Sequence, residues 1–229
     1  MAVVALIGTL DTKGAECAWL AEQLDKHGVQ ALFVDVGSFS ASPLANVSSD
    51  DVIAAADSDA AALRERRDRG EMMQVMSVGA ARIVRDLAVS GRIHGLLALG
   101  GSGGSSVAAA AMQALPVGFP KLLVSTMASG DVKPYVGEVD ATLMYSVVDV
   151  AGINSVSSQV FANAAAAIAG MARAYEDRLA AVPAGHKPVV AVTMFGVTTP
   201  AADEARDTLT DYVTRPRRED FTLDVETAV

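Results

Sequence analysis

Short apolar runs that end in glycine, serine or threonine, each giving way to helical sequence, constrain this chain more than any other feature. Val3 to Ile7 is apolar at every position, and Gln30 to Val34, Gly95 to Leu99 and Leu122 to Ser125 are similar short runs. A strand apolar throughout is one covered on both faces. Between the runs, Gly14 to His27 sets Ala18, Leu20, Ala21 and Leu24 at helical spacings, and Gly28 ends the helix well. Helical sequence recurs at 50–56, at 58–90 with Gly70 as a break, at Ser106 to Leu115 and at Ser155 to Leu179. Residues 36–50, rich in Ser, Pro and Asn, read as a loop; Ala141 to Tyr145 and Val189 to Thr193 read as further strands. Strands alternating with helices imply parallel pairing and right-handed crossovers. The predicted fold is therefore α/β, a Rossmann-like parallel sheet with helices on both faces, followed by the start of a second α/β domain.

The expected division is a first domain over 1–182, a linker over 183–188, and a shortened second domain with a tail over 189–229. The tail reading rests on Arg215, Pro216, Arg217 and Arg218 followed by mixed acidic sequence. The longest apolar stretches, Val107 to Phe119 and Val160 to Ala172, are interrupted by Gln113, Pro116 and Asn163. They fall short of the roughly 20 residues a membrane span needs, so no membrane partner is expected. Met1 to Gly8 lacks a basic leader, and Cys17 is the single cysteine, which together suit a cytoplasmic protein. His27, His94 and His186 are too scattered for a zinc motif. With a net charge of −9, a nucleic-acid partner is not expected. Arg64, Arg66, Arg67 and Arg69 alternate with Glu65, Asp68 and Glu71 and read as a solvated helix face.

In parallel α/β sheets ligands sit beyond the carboxyl ends of the strands, and three such ends carry small polar residues. After the first strand come Gly8, Thr9, Leu10, Asp11, Thr12, Lys13 and Gly14. Amides at a helix start would face an anion, with Thr9 and Thr12 hydroxyls and the Lys13 charge in support. After the third come Gly100, Gly101, Ser102, Gly103, Gly104 and Ser105. Four glycines in five positions suit a ligand that must touch backbone amides. The spacing is neither a P-loop nor the dinucleotide fingerprint, since Ser106 stands where the last glycine would be. After the fourth come Ser125, Thr126, Ser129 and Gly130, with Lys133 nearby. Asp35, closing the second strand, stands where dinucleotide folds hold ribose hydroxyls. Asn154 or Ser155 caps the long helix.

A rival reading is a serine hydrolase, because Gly100, Ser102 and Gly104 fit the nucleophile-elbow pattern, with Asp149 and His186 completing the order of a triad. Topology opposes it. His186 and His94 each precede a strand, at the amino end of the sheet, whereas Ser102 follows one.

The three loops together, with Asp35 to Gly37, Asp149 to Asn154 and Met194 to Pro200, resemble the ATP-binding domain family of the tomato mosaic virus resistance protein. The resemblance runs over residues 1 to about 205 and implies two α/β domains, ATP as ligand and a homodimer. It carries a nucleotide role onto the glycine loop and the two Thr/Ser loops. If phosphoryl chemistry follows, Mg2+ is expected, with Asp11 as the metal-facing acid. Whether the chain is an enzyme or a non-catalytic, nucleotide-gated regulator stays open at this point. Members of that family continue for a second half of comparable size, which this chain is expected to lack.

Overall fold

The computed structural model describes residues 1–38, 42–181, 189–193, 196–214 and 224–228. The chain divides into two compact units, Met1–Ala180 and Ala181–Val229. Residues 183–188, expected as a linker, lie outside the described residues, as do His186, Met194, Phe195 and the cluster of Arg215, Arg217 and Arg218.

The first unit is a five-stranded parallel sheet built from β1 (Val3–Gly8), β2 (Gln30–Asp35), β3 (Gly95–Gly100), β4 (Lys121–Ser125) and β5 (Thr142–Tyr145). Its strand order is β2-β1-β3-β4-β5. The helices are α1 (Leu10–Lys26), α2 (Ser49–Ala55), α3 (Ala60–Arg66), α4 (Arg69–Val89), α5 (Ser102–Gln113), the single turn α6 (Lys133–Val136) and α7 (Ser157–Ala180). Successive side chains of a strand point to opposite faces. Ala5, Ile7 and Ala98 therefore meet Val52, Met76, Val84, Val107 and Met112 on one side. Val4, Leu6, Leu97 and Val124 meet Cys17, Leu20, Phe161, Ile168 and Ala172 on the other. Helices α2, α4 and α5 thus cover one face, and α1 and α7 the other. This is the Rossmann-like architecture expected from the sequence.

The layer of α2 and α4 is packed closely enough to exclude a side chain at one point. A Cβ at Gly79 would fall on the Val52 carbonyl oxygen, well inside contact distance. The amino end of the sheet is braced by Lys121, which is 1% exposed. Its ammonium donates to the carbonyls of Pro116 and Phe119 and pairs with Asp140. A buried ammonium needs this full set of acceptors to offset its lost hydration.

The second unit is a β–α–β element: β6 (Val189–Thr193), α8 (Thr199–Thr214) and β7 (Asp224–Ala228), with β6 and β7 paired in parallel. Residues 224–228 are therefore a paired strand, where the sequence suggested an unpacked tail. Their mixed acidic character hid a strand whose pairing partner lies about 35 residues upstream.

Candidate functional site

The chain runs from β1 outward to β2, then returns across β1 to place β3 on its other side. Helices leave the carboxyl ends of β1 and β3 toward opposite faces of the sheet. That reversal opens the crevice in which doubly wound folds bind ligands. The loops after β1, β3 and β4 border it, and with strands spaced by about 4.8 Å all three fall within roughly 10 Å.

Both helices that start at this crevice lack a side-chain cap. At α5 the capping position is Gly101, which has no side chain to offer. By helix geometry the amides of Ser102, Gly103 and Gly104 have no intrahelical acceptor, and the first intrahelical bond is from Ser105 to the Gly101 carbonyl. At α1 the capping residue is Thr9, whose hydroxyl instead meets the Thr12 hydroxyl at 2.8 Å. The other helices on the α2 side have caps: Ser48 for α2, Asp59 for α3 and Asp68 for α4.

The glycines separate into two kinds. A Cβ at Gly8 would stand 2.6 Å from Cys17 Sγ, and one at Gly100 would stand 2.9 Å from Gly104 Cα. Internal packing requires both. A Cβ at Gly101, Gly103, Gly104 or Gly130 would meet neighbours only at ordinary contact distances, 3.6 Å or more. Nothing inside the fold demands glycine there, and in a helix glycine costs about 1 kcal/mol against alanine.

The polar residues also divide. Ser105 and Ser125 are buried, with their hydroxyls 2.6 Å apart, and the Ser125 hydroxyl also accepts from the Met127 amide. They tie the start of α5 to the end of β4. Thr12, Ser102 and Ser129 are exposed, and Thr9, Lys13 and Thr126 half-buried. Lys13 interrupts the helical dihedrals of α1, so the Leu10 to Thr12 turn stands apart from the rest of the helix. Asp35 faces inward: it is 0% exposed, and its oxygens accept from the amides of Leu10, Gly37 and Ser42. It braces β2, α1 and the following loop, which leaves no oxygen turned toward a ribose. Burial raises its carboxyl above the usual range; the three amides oppose that shift and the Asp11 charge adds to it. Asp11 and Asp35 both crowd Gly37, where a Cβ would lie 2.7 Å from the Asp11 carboxyl carbon and 2.9 Å from Asp35 Oδ1. Cys17, beneath Gly8, is buried, and desolvation pushes its thiol up to about 12, which keeps it an unreactive core residue.

Among the described residues no group of three or more His, Cys, Asp or Glu could hold a metal by itself. Asp11 fits Mg2+ only as one carboxylate beside a phosphate-borne ion, a common arrangement for that metal. Among the described residues the hydrolase reading gains no support. Ser102 is not among the non-glycine residues with positive φ, as a strained elbow would require, and His94 accepts from the Val3 amide at the far end of the sheet.

Two residues that the sequence did not connect with the glycine loop, the exposed Arg69 and the half-buried Met73, lie one turn apart on α4 beside the first turn of α5. A Cβ at Gly103 would stand 3.6 Å from Met73 Cε and 3.8 Å from an Arg69 guanidinium nitrogen. A cavity of about 610 Å3 lies elsewhere, at the amino end of the sheet beside Phe119, Lys121, Asp140, Tyr175 and Arg178. Its most buried polar group, Lys121, has its acceptors inside the protein. The carboxyl-end crevice, with donors left open, is the stronger candidate.

Among the described residues no helix is long and apolar enough to cross a membrane. Residues 2–177 match the family model described as "Uncharacterised protein family (UPF0261) N-terminal domain". A UPF0261 protein of Clostridium tetani is 44% identical over 207 residues, covering 90% of this chain and 50% of the relative. One from Rhizobium meliloti is 41% identical over 197 residues, covering 86% and 48%. The ToMV susceptible protein tm-1(GCR26) of Solanum lycopersicum is 35% identical over 224 residues, covering 90% of this chain and 30% of its own length. The chain spans about half the length of these bacterial relatives. With three quarters of its residues under the family model and bacterial relatives above 40% identity, the chain belongs to the UPF0261 family.

Proposed function

We propose that this chain binds a nucleotide, ATP carrying Mg2+, at the switch point between β1 and β3. The observation that carries the reading is the start of α5 there, left without a side-chain cap and with three amides open, beside the Thr9 to Lys13 turn. Phosphate oxygens would accept from the amides of Ser102, Gly103 and Gly104, and glycine at 101, 103 and 104 keeps that approach clear. Thr9, Thr12, Thr126 and Ser129 supply hydroxyls and Lys13 a positive charge. Asp11 is the carboxylate that this reading assigns to the ion. Gly8, Gly100, Ser105, Ser125 and Asp35 shape the loops from within, and Gly130 ends the turn after β4. Residues 1–182 are the nucleotide-binding domain in this reading, residues 189–229 begin a second α/β domain, and the working unit is a homodimer.

Calorimetric titration with ATP, with and without Mg2+, tests the reading. Saturable binding in the micromolar to sub-millimolar range supports it. Absence of both binding heat and any thermal shift removes it. A second reading, favoured by the tomato relatives named for ToMV susceptibility and resistance, is that bound nucleotide gates an interaction and is not consumed. Binding with no product over hours selects it over an enzyme.

A further inference from the structure

The two edges of the five-stranded sheet are finished differently. At β2 the outward groups are taken up by the segment that follows. The Phe33 carbonyl accepts from the amides of Asn46 and Val47, the Phe33 amide donates to the Asn46 side chain, and the Asp35 amide donates to the Val47 carbonyl. At β5 no described segment does this. The Ser146 amide donates to the Ser125 carbonyl of β4. Backbone groups of a strand point to alternate sides, so Thr142 and Met144 also face β4, and the amides and carbonyls of Leu143 and Tyr145 face outward. No hydrogen bond joins those four groups to another described residue.

An open edge is a template for another strand, and proteins commonly blunt it with lysine, proline or a bulge. β5, Thr142 to Tyr145, has no charge and no proline, and its register with β4 runs unbroken. Leu143 packs with the α5 layer and Met144 with the α7 layer. Where a two-fold axis normal to the sheet continues it antiparallel, opposed residues share a face. An axis at Met144 meets this condition and sets Leu143 opposite the second copy's Tyr145, and Tyr145 opposite its Leu143. Each such pair exchanges two hydrogen bonds, so every outward group gains a partner in both copies. An axis at Leu143 would call on the Ala141 amide, which already donates to the Val139 carbonyl. One at Tyr145 would reach Val147, which leaves the extended conformation with φ 66. With the axis at Met144, Asp140 comes opposite Val148; it is the single charged residue in 140–148, so no like charges meet. Four paired residues bury less than the ~1,200 Å2 of a stable interface. Further surface lies beside the edge, where Thr142 and the exposed Met171 border the cavity of about 610 Å3 and Tyr145 is exposed.

We propose that β5 pairs antiparallel with β5 of a second copy of this chain, across a two-fold axis at Met144, joining two five-stranded sheets into one. The inference rests on the homodimer in the reading above and gives it a place and a register; it is independent of the nucleotide. A second copy suits the edge because the same patch serves both sides: the groups open in one chain are the groups open in the other, and the register that satisfies them is symmetric.

Sedimentation velocity on the full chain, from about 1 to 100 μM, tests the pairing with the wild type, Tyr145→Val and Tyr145→Pro. Proline removes an outward amide and leaves the bonds to β4 intact, a place where an edge strand tolerates it; valine keeps the amide and the strand. The wild type and Tyr145→Val should dimerise, and Tyr145→Pro should dimerise at least about tenfold more weakly. The register is read separately, from cysteine variants treated with diamide. At Met144 the two copies' Cβ atoms would stand about 4.5–5.5 Å apart, so Met144→Cys should link two chains. At Thr142 they would stand about 13 Å apart, so Thr142→Cys should not. A dimer that forms equally well with Tyr145→Pro, or one that links through Thr142→Cys and not Met144→Cys, overturns the β5 pairing and leaves the homodimer standing. A wild type that stays monomeric over the whole range removes both. If Tyr145→Pro fails to fold, the cysteine pair alone decides, with the same two outcomes.

Discussion

Alanine at four glycines separates residues kept for packing from residues kept for a ligand. In the first turn of α5, a Cβ at Gly103 or Gly104 would make only ordinary contacts, at 3.6 Å or more. Alanine is favoured over glycine in helices by about 0.8–1.0 kcal/mol, partly through the unfolded chain. Near a helix end roughly half of that is expected. For a unit of this size 1 kcal/mol shifts the melting temperature by about 2–4 °C. Gly103→Ala and Gly104→Ala should therefore each raise it by about 1–4 °C. At Gly8 and Gly100 the new carbon would collide with Cys17 Sγ at 2.6 Å and Gly104 Cα at 2.9 Å. Overpacking of that kind costs about 1–3 kcal/mol, a fall of several degrees. Affinity should move the other way at Gly103: its added carbon takes space beside the open amides and should weaken ATP about tenfold or more, which is about 1.4 kcal/mol. Differential scanning calorimetry with and without ATP reads both quantities. A Gly103→Ala protein that is less stable than the wild type, or that binds ATP unchanged, would refute the reasoning.

Two further predictions concern the rest of the first unit. Burial raises the Asp140 carboxyl, but the hydrogen bond from Lys121, the Gly118 amide and the Lys121 charge outweigh it and hold the group below its usual range. Its stabilising contribution is therefore complete above the ordinary carboxylate value near 3.9 and lost as pH falls through the lowered folded value. Asp140→Asn should cost about 1–3 kcal/mol at pH 7 in urea titrations, with the gap to wild type closing below about pH 4; an equal gap at all pH values would contradict the pairing. Val147, just beyond β5, has φ 66 and is 57% exposed, in a tight turn closed by the Val148 amide on the Ser146 carbonyl. A β-branched residue is strained there, so Val147→Gly should hold or raise the melting temperature, and a fall of several degrees would show that the valine is packed.

The sheet was legible in the sequence because each of β1, β3 and β4 is apolar nearly throughout and so declares burial on both faces. The switch-point loops were legible for a related reason: glycine, serine and threonine gather where strands end. Their interior roles were not. Helix α5 begins at Ser102, four residues before the sequence suggested, and a separate Leu10 to Thr12 turn precedes the expected α1 start at Gly14, because first turns rich in Asp, Thr, Gly and Ser have the propensity of loops. Packing against the sheet overrides that preference. Asp35 looked like a ribose acid from its position at a strand end; its three amide donors come from segments separated from it by two to 25 residues, and no local pattern announces them. The Ser105 and Ser125 pair joins positions 20 residues apart. The charge run at 64–69 was legible as a solvated face, since Arg66, Arg67 and Arg69 are exposed.

Amide hydrogen exchange, with and without ATP and Mg2+, tests the location of the nucleotide most directly. Exchange at Ser102, Gly103 and Gly104 should slow by at least about tenfold on saturation, since phosphate oxygens would become their acceptors. The amides of 117–119 and 142, beside the amino-end cavity, should be unchanged. Protection at that cavity, or saturable ATP binding that leaves 102–104 exchanging freely, would contradict a site at the β1 and β3 switch point.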